Sequence, residues 1–298
     1  MKHRFVPTVV AATLAVAAAL PAVAQVAPTL ERVKSSGAIT VAYRDASVPF
    51  SYLDGTQPTG FGWEICGRIV DNVKKAVGRT DIKVNQVGVT SVNRIPLLAN
   101  GTVDIECGST TNNAERQKQV EFAINYFYTG TRFLVKKDSG IQSLNDLKGK
   151  RVVSTAGTTN LRVIRSVNEE QKLGMELLAA KDHAESFLMV QNGRAVAFAM
   201  DDILLYGLRA SAINPAEWAV VGDAIQVEPY AIMLRKDDPE FKKLVDATLA
   251  DLIKTGEFQR LYKKWFQSPI PPKGVSLDVP MSKELQENLK TQSDKPTL

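Results

Sequence analysis

The chain has 298 residues and carries 37 Lys and Arg against 32 Asp and Glu, a net charge of +5 at neutral pH. That length suffices for one large or two ordinary domains with real cores. The positive surplus is spread along the chain without a basic stripe, which argues against a nucleic-acid partner, and beyond residue 24 every apolar stretch is interrupted by charges, so no further membrane span is expected.

In chain order, Lys2 and Arg4 precede an apolar run at 9–20, and Ala22-Val23-Ala24 supplies small residues before Gln25. This is a signal-peptide pattern over 1–24, with a run too short to span a bilayer comfortably. The alternative is an uncleaved N-terminal anchor. No lipobox-type Cys lies near the cleavage site, so a soluble exported protein is expected. Ile39, Val41 and Tyr43 alternate as a strand that Pro49 follows. Ile65, Cys66, Ile69, Val70, Val73, Ala76 and Val77 share one helical face that ends at Gly78. A second strand follows at 84–87, a short helix at 94–99 and a third strand at 103–107. Cys66 and Cys107 thus fall on a helix and at a strand end. An oxidising compartment permits a disulfide between them, and the alternative is two buried thiols.

Strand and helix signals repeat over roughly 130–225. Segment 133–135 is extended, and a strand follows Lys148-Gly149-Lys150. Gly157-Thr158-Thr159 opens a helix, and buried strands read at 195–200 and 218–221. The alternation argues for α/β units with parallel sheets. Phe241, Leu244, Val245, Thr248, Leu249, Leu252 and Ile253 then form a strong helical stripe. After Gly256 the stripe resumes as Phe258, Leu261, Tyr262, Trp265 and Phe266. This spacing suits core packing better than a docking surface. Pro269, Pro271 and Pro272 end helical structure, and the polar tail from Gly274 is expected to wrap loosely over the surface.

Several separate stretches, taken in order, resemble one family. They are Tyr43-Arg44-Asp45-Ala46-Ser47-Val48-Pro49-Phe50-Ser51-Tyr52, Ser91-Val92-Asn93-Arg94-Ile95-Pro96-Leu97-Leu98, and Cys107-Gly108-Ser109-Thr110-Thr111-Asn112-Asn113. Lys181-Asp182-His183, Ala197-Phe198-Ala199-Met200-Asp201-Asp202, Leu234-Arg235-Lys236-Asp237-Asp238-Pro239, and Trp265-Phe266 before the Pro-rich segment follow. The chain resembles the solute-binding proteins of family 3 that serve amino-acid ABC importers, and within them the glutamate/aspartate-binding proteins. The resemblance implies an α/β, two-lobed periplasmic binding protein of type II. Lobe 1 would comprise 30–124 and 231–298, lobe 2 would comprise 129–226, and the crossing strands would lie at 125–128 and 227–230. It also implies L-glutamate or L-aspartate as ligand, the membrane permease of an ABC importer as partner, a periplasmic monomer, no cofactor or metal, and no enzymatic activity.

An acidic amino acid presents two carboxylates and an ammonium, each of which needs a buried partner. Arg116 follows the Ser109-Thr110-Thr111 turn, where a helix is expected to begin with Asn112 and Glu115 as a capping pair. Its fork matches a carboxylate. The residues alone equally suit a solvated Arg among Glu115, Gln117 and Lys118, whereas the resemblance gives Arg116 the α-carboxylate with Ser109 and Thr111 beside it. Asp201 ends a buried strand at the edge where α/β crevices form, and Asp202 reads as the N-cap of the next helix. By pattern the two roles are interchangeable; the resemblance assigns the ammonium to Asp201. Arg44, and Arg94 with Ser91, are the candidates for the side-chain carboxylate. Two arginines converging on one site repel unless an anion fills it.

His183 matches a family position that reaches the ligand and would make binding pH-sensitive through its charge. Thr158 and Thr159 open a helix and read equally as carboxylate donors and as caps. Asn160-Leu161-Arg162 departs from the family pattern, which is more polar or acidic there. The resemblance implies closure of the lobes over the ligand. The rivals are a periplasmic enzyme of the same fold, such as a cyclohexadienyl or arogenate dehydratase, and a binder of another polar amino acid or a plain dicarboxylate. A module that feeds a receptor in place of a transporter is a further reading. The sequence holds no Gly-x-Ser-x-Gly elbow, His-Glu-x-x-His or phosphate loop.

Overall fold

The computed structural model describes residues 27–297, so the signal peptide expected at 1–24 lies outside the described residues. After helix α1 (Thr29–Ser36) come strands β1 (Ala38–Tyr43), β2 (Ala46–Ser47), β3 (Ser51–Asp54) and β4 (Gln57–Thr59). Helix α2 (Phe61–Val77), strand β5 (Lys83–Gly88), helix α3 (Arg94–Ala99) and strand β6 (Ile105–Glu106) follow. The long strand β7 (Val120–Lys136) leads to β8 (Arg151–Thr155), α4 (Thr159–Glu170), β9 (Glu176–Ala180), α5 (His183–Gln191), β10 (Ala197–Asp201), α6 (Asp202–Ser211) and β11 (Trp218–Val221). Strand β12 (Val227–Arg235) and helices α7 (Pro239–Lys254), α8 (Glu257–Phe266) and α9 (Lys283–Thr291) complete the chain.

The strands run in the order β5-β1-β6-β12-β7-β10-β8-β9, and β11 pairs with the far end of β7. β1 is parallel to β5 and β6, and β8 is parallel to β9 and β10. The parallel pairing expected of each α/β unit is present, while β12 and β7 run antiparallel to their neighbours. The reason is topological. β7 pairs with β12 from Val120 to Gly130 and with β10 from Thr131 to Val135, while β12 returns along it from Val227 to Arg235. These two strands pass from one parallel group to the other, and the result is a two-lobed α/β fold with discontinuous lobes. The lobe around β1, β5 and β6 is called the first and that around β8–β11 the second.

The expected helical faces turn inward. Phe61, Ile65, Ile69 and Val73 of α2 are fully buried, and Gly78 in the left-handed region at φ 67° ends that helix. Phe241, Val245 and Leu249 of α7, with Phe258, Leu261, Tyr262, Trp265 and Phe266 of α8, belong to the same core. Tyr262 and Phe266 stack with ring centres 4.3 Å apart, and Phe50 meets Phe127 edge-on at 4.9 Å beside them. Each such buried aromatic side chain contributes about 1.5–3 kcal/mol. The aromatic stripe is core and not a docking face.

A disulfide joins Cys66 on α2 to Cys107 beyond β6, with Cα atoms 5.9 Å apart. Closing a loop of 41 residues contributes about 4 kcal/mol in the chain-entropy account. Gly62 allows this approach, since a Cβ there would collide with the Cys107 carbonyl oxygen. The C-terminal tail departs from expectation. It is not loose: α9 buries Leu285 and Asn288, and the chain beyond it bonds to the first lobe. The Asn112 amide donates to the Asp294 carbonyl at 2.8 Å, and the Asn125 amide donates to the Lys295 carbonyl at 2.9 Å.

Candidate functional site

The lobes meet over a small cavity whose lining is polar apart from Met200 and Leu204. Ser91, Arg94, Ser109 and Thr111 reach it from the first lobe, and Thr158, Thr159, His183 and Asp201 from the second. Arg44 and Arg116 stand immediately behind this lining. One Arg44 Nη donates to Ser91 Oγ at 3.1 Å, and Arg116 donates to the Thr111 carbonyl at 2.9 Å and the Gly157 carbonyl at 3.3 Å. All of the residues singled out from the sequence as ligand contacts are therefore gathered around one space.

The arginines are held from beneath. Arg94 opens α3 and donates to the Ser109 carbonyl at 3.2 Å. Arg44, Arg94 and Arg116 are nearly fully buried, as are Glu106 and Glu228 close by. Arg44 Nη1 and Arg94 Nε have no hydrogen-bond partner among the described residues. Burial, and then the charge of Arg94, pull Arg44 down to about 10 and Arg116 to about 9, so both remain cations at neutral pH. Buried donors left unpaired are costly, so this group is built for an anion.

Asp201 ends β10 and turns into the cavity, buried to 2% exposure. Its carboxylate accepts from the Asn160 amide at 2.8 Å and from the Tyr230 hydroxyl. Burial, and then the nearby charge of Glu228, push its carboxyl up to about 7. A cation beside it would offset that cost. Asp202 is not the N-cap: it occupies the first turn of α6, where its side chain accepts from Thr129 Oγ1 at 2.7 Å. Asp201 holds the cap position, but its side chain is committed to Asn160 and Tyr230.

Three local expectations change. Arg116 begins a single 3-10 turn, Arg116–Lys118, and Asn113 caps it by accepting from the Arg116 N–H at 2.9 Å. Asn112 faces inward to Asn125 at 2.9 Å, so the pair Asn112 and Glu115 does not cap. Thr158 is the N-cap of α4, accepting from the Leu161 N–H at 3.2 Å while donating to the Thr155 carbonyl at 2.6 Å, so its hydroxyl proton is spent. His183 is buried, and burial followed by the charges of Arg44 and Arg94 holds it well below its ordinary pKa. It is neutral. Arg44 faces Nε2 at 3.4 Å, so the proton sits on Nδ1, 2.9 Å from Thr155 Oγ1. In the ligand-free site the charged imidazole is thus disfavoured, which weighs against the expectation that its charge makes binding pH-sensitive.

The lobes are closed on each other. The site turn of the second lobe contains Gly157 at φ 75°, and a Cβ there would lie 2.8 Å from the Val92 backbone nitrogen. Only glycine combines that conformation with that approach. Thr111 and Thr159 hydroxyls are 3.3 Å apart across the cleft, and Arg162 pairs with Glu115 at its rim. Reading the sequence missed Asn160, Tyr230, Glu106 and Glu228. Asn160 was noticed only as a departure from a pattern, and the other three sit within strands or at their ends, where nothing marks a polar residue as inward-facing.

Two lobes joined by crossing strands, closed over a charge-lined cavity, define a solute-capturing protein of the type II binding-protein class. The chain belongs to the bacterial extracellular solute-binding proteins, family 3, which match residues 39–268. It is 51% identical over 270 residues to the L-glutamate/L-aspartate-binding protein of Pseudomonas aeruginosa, covering 90% of this chain and 89% of that one. It is 46% identical to the glutamate/aspartate import solute-binding protein of Escherichia coli, covering 97% of each. Both relatives are named as binding proteins and not as enzymes. Among solved structures, a mutant of ArgBP from T. maritima superposes with a TM-score of 0.70 at 25% identity, over 80% of this chain and 99% of that one.

Proposed function

We propose that the protein captures L-glutamate or L-aspartate in the periplasm and delivers it to the membrane permease of an ABC importer. The observation that carries this reading is the charge pattern of the cavity, with buried Arg44, Arg94 and Arg116 on one side and buried Asp201 on the other. The ligand's α-carboxylate lies on Arg116 beside Ser109 and Thr111, and its α-ammonium on Asp201. The side-chain carboxylate takes the unpartnered donors of Arg44 and Arg94, with Ser91 and His183 completing that end. The Thr159 and Thr158 end of α4 closes from the second lobe. In this reading lobe 1 spans 30–124 and 231–298, lobe 2 spans 129–226, and 125–128 with 227–230 form the hinge. The chain acts as a monomer.

Closure supplies the coupling. Ligand contacts to both lobes stabilise the closed state over the open one by their differential affinity, and exclusion of water strengthens each charge pair. The permease then reads the closed surface. A thermal-shift series on protein stripped of carried-over ligand, with glutamate, aspartate, glutamine, asparagine and succinate, tests the assignment. Ligand at a hundredfold over its Kd stabilises by about 2.7 kcal/mol. A rise in Tm confined to glutamate and aspartate is the expected result; a larger rise with glutamine or asparagine, or none with any of the five, would overturn it.

A further inference from the structure

Glu228 lies on β12, one of the strands shared by both lobes, and is fully buried. Its Oε2 accepts from Thr111 Oγ1 at 2.8 Å and from Thr159 Oγ1 at 2.6 Å. Thr111 belongs to the arginine-bearing lobe, and Thr159 is the first residue of α4 in the second lobe. One carboxylate oxygen thus takes hydroxyls from both sides of the cleft. A Thr hydroxyl has a single proton and two lone pairs. With both protons aimed at Glu228, neither hydroxyl has one left for a ligand carboxylate. What the two oxygens offer the cavity they line is acceptor capacity.

The surroundings agree with that polarity. Tyr230, two residues along the same strand, donates to Asp201, and its backbone bridges to Thr111. Asp201 and the two Thr oxygens thus all line the cavity as acceptors, and the arginine donors without a partner among the described residues lie on Arg44 and Arg94. We propose that Glu228 is a positioning residue of the ammonium subsite: by taking the protons of Thr111 and Thr159 when the lobes close, it turns both hydroxyls into acceptors for the ligand's α-ammonium beside Asp201. This rests on the amino-acid reading above and deepens it, since it moves the Thr111 and Thr159 hydroxyls from the carboxylate to the ammonium.

Both Thr protons go to one oxygen of Glu228, and its Oε1 has no partner among the described residues. A glutamine can therefore keep its amide oxygen on both hydroxyls, whereas methionine, close in shape, has no strong acceptor and frees both protons. Glutamate titrations of the full chain as wild type, Glu228→Met, Glu228→Gln, Asp201→Asn and the Glu228→Met/Asp201→Asn double variant test this, each with the Tm of the ligand-free protein as a check of folding. Glu228→Met is expected to weaken glutamate binding by about ten- to hundredfold, Glu228→Gln to retain most of the affinity, and Glu228→Met to add little on top of Asp201→Asn, because both act on one subsite. Binding by Glu228→Met within about twofold of wild type, equal losses in the Met and Gln variants, or independent multiplication of the Met and Asn losses would each overturn the proposal. Failure of the wild type to bind glutamate would instead strike the amino-acid reading itself.

Discussion

On the first lobe's wall of the cleft, Arg44, Arg94 and Arg116 are nearly fully buried cations, tied to Ser91, Ser109 and Thr111 of the same lobe. On the opposite wall, Asp201, neutral His183 and the start of α4 present acceptors and uncharged donors. The first wall assembles its cations within one lobe, so its field exists before closure. In the proposed reading the second wall reaches the ligand only when the lobes close, so a dicarboxylate docks first on the arginines and the ammonium is read last.

Removing a cation from the first wall should have the largest effect. Arg94→Ala leaves a ligand carboxylate buried without its partner, a loss of about 3–5 kcal/mol, and calorimetry should show glutamate affinity falling by about a hundredfold or more. The second wall responds to pH with two opposite slopes. The Asp201 carboxyl is held at about 7, above its unfolded value of about 4. The stability it contributes is fully present below pH about 4 and is lost as pH rises to about 7. The Tm of the ligand-free protein should therefore decline across that window, and Asp201→Asn should flatten the decline. Ligand binding requires the ionised carboxylate, so glutamate affinity should rise as pH passes upward through about 7, and this dependence too should vanish in Asp201→Asn.

The smallest effect belongs to the rim. Arg162 and Glu115 are half exposed and bridge the two walls. Pairs of this kind contribute about 0–1 kcal/mol. Arg162→Ala should raise the glutamate off-rate by no more than about fivefold, and the difference should disappear in high salt.

Much of the architecture was legible because burial and periodicity coincide. The helix at 94–99 and the paired faces of α7 and α8 follow from apolar spacing alone. The charged site residues were legible through family motifs, since Arg44, Arg94, Arg116 and Asp201 lie on separate segments that only the fold brings together. Glu228 and Asn160 were not, because their neighbours Thr111 and Asp201 are remote in sequence. The cap on Arg116 was misplaced by one residue because Asn112 and Asn113 are both good caps, and the contacts of Asn112 with Asn125 and Asp294 decide between them. The ordered tail was hidden for a related reason. Its polar segment is held by backbone bonds to Asn112 and Asn125, which no hydrophobic pattern records.

The two-walled reading is tested most directly by calorimetric titration of the stripped wild-type protein with glutamate, glutarate and glutamine. Glutarate lacks the ammonium and glutamine lacks the side-chain charge. Tight binding of glutamate, with each of the other two weaker by about a hundredfold or more, is the predicted result. Glutarate binding as tightly as glutamate would contradict the role of Asp201, and glutamine doing so would contradict that of Arg44 and Arg94.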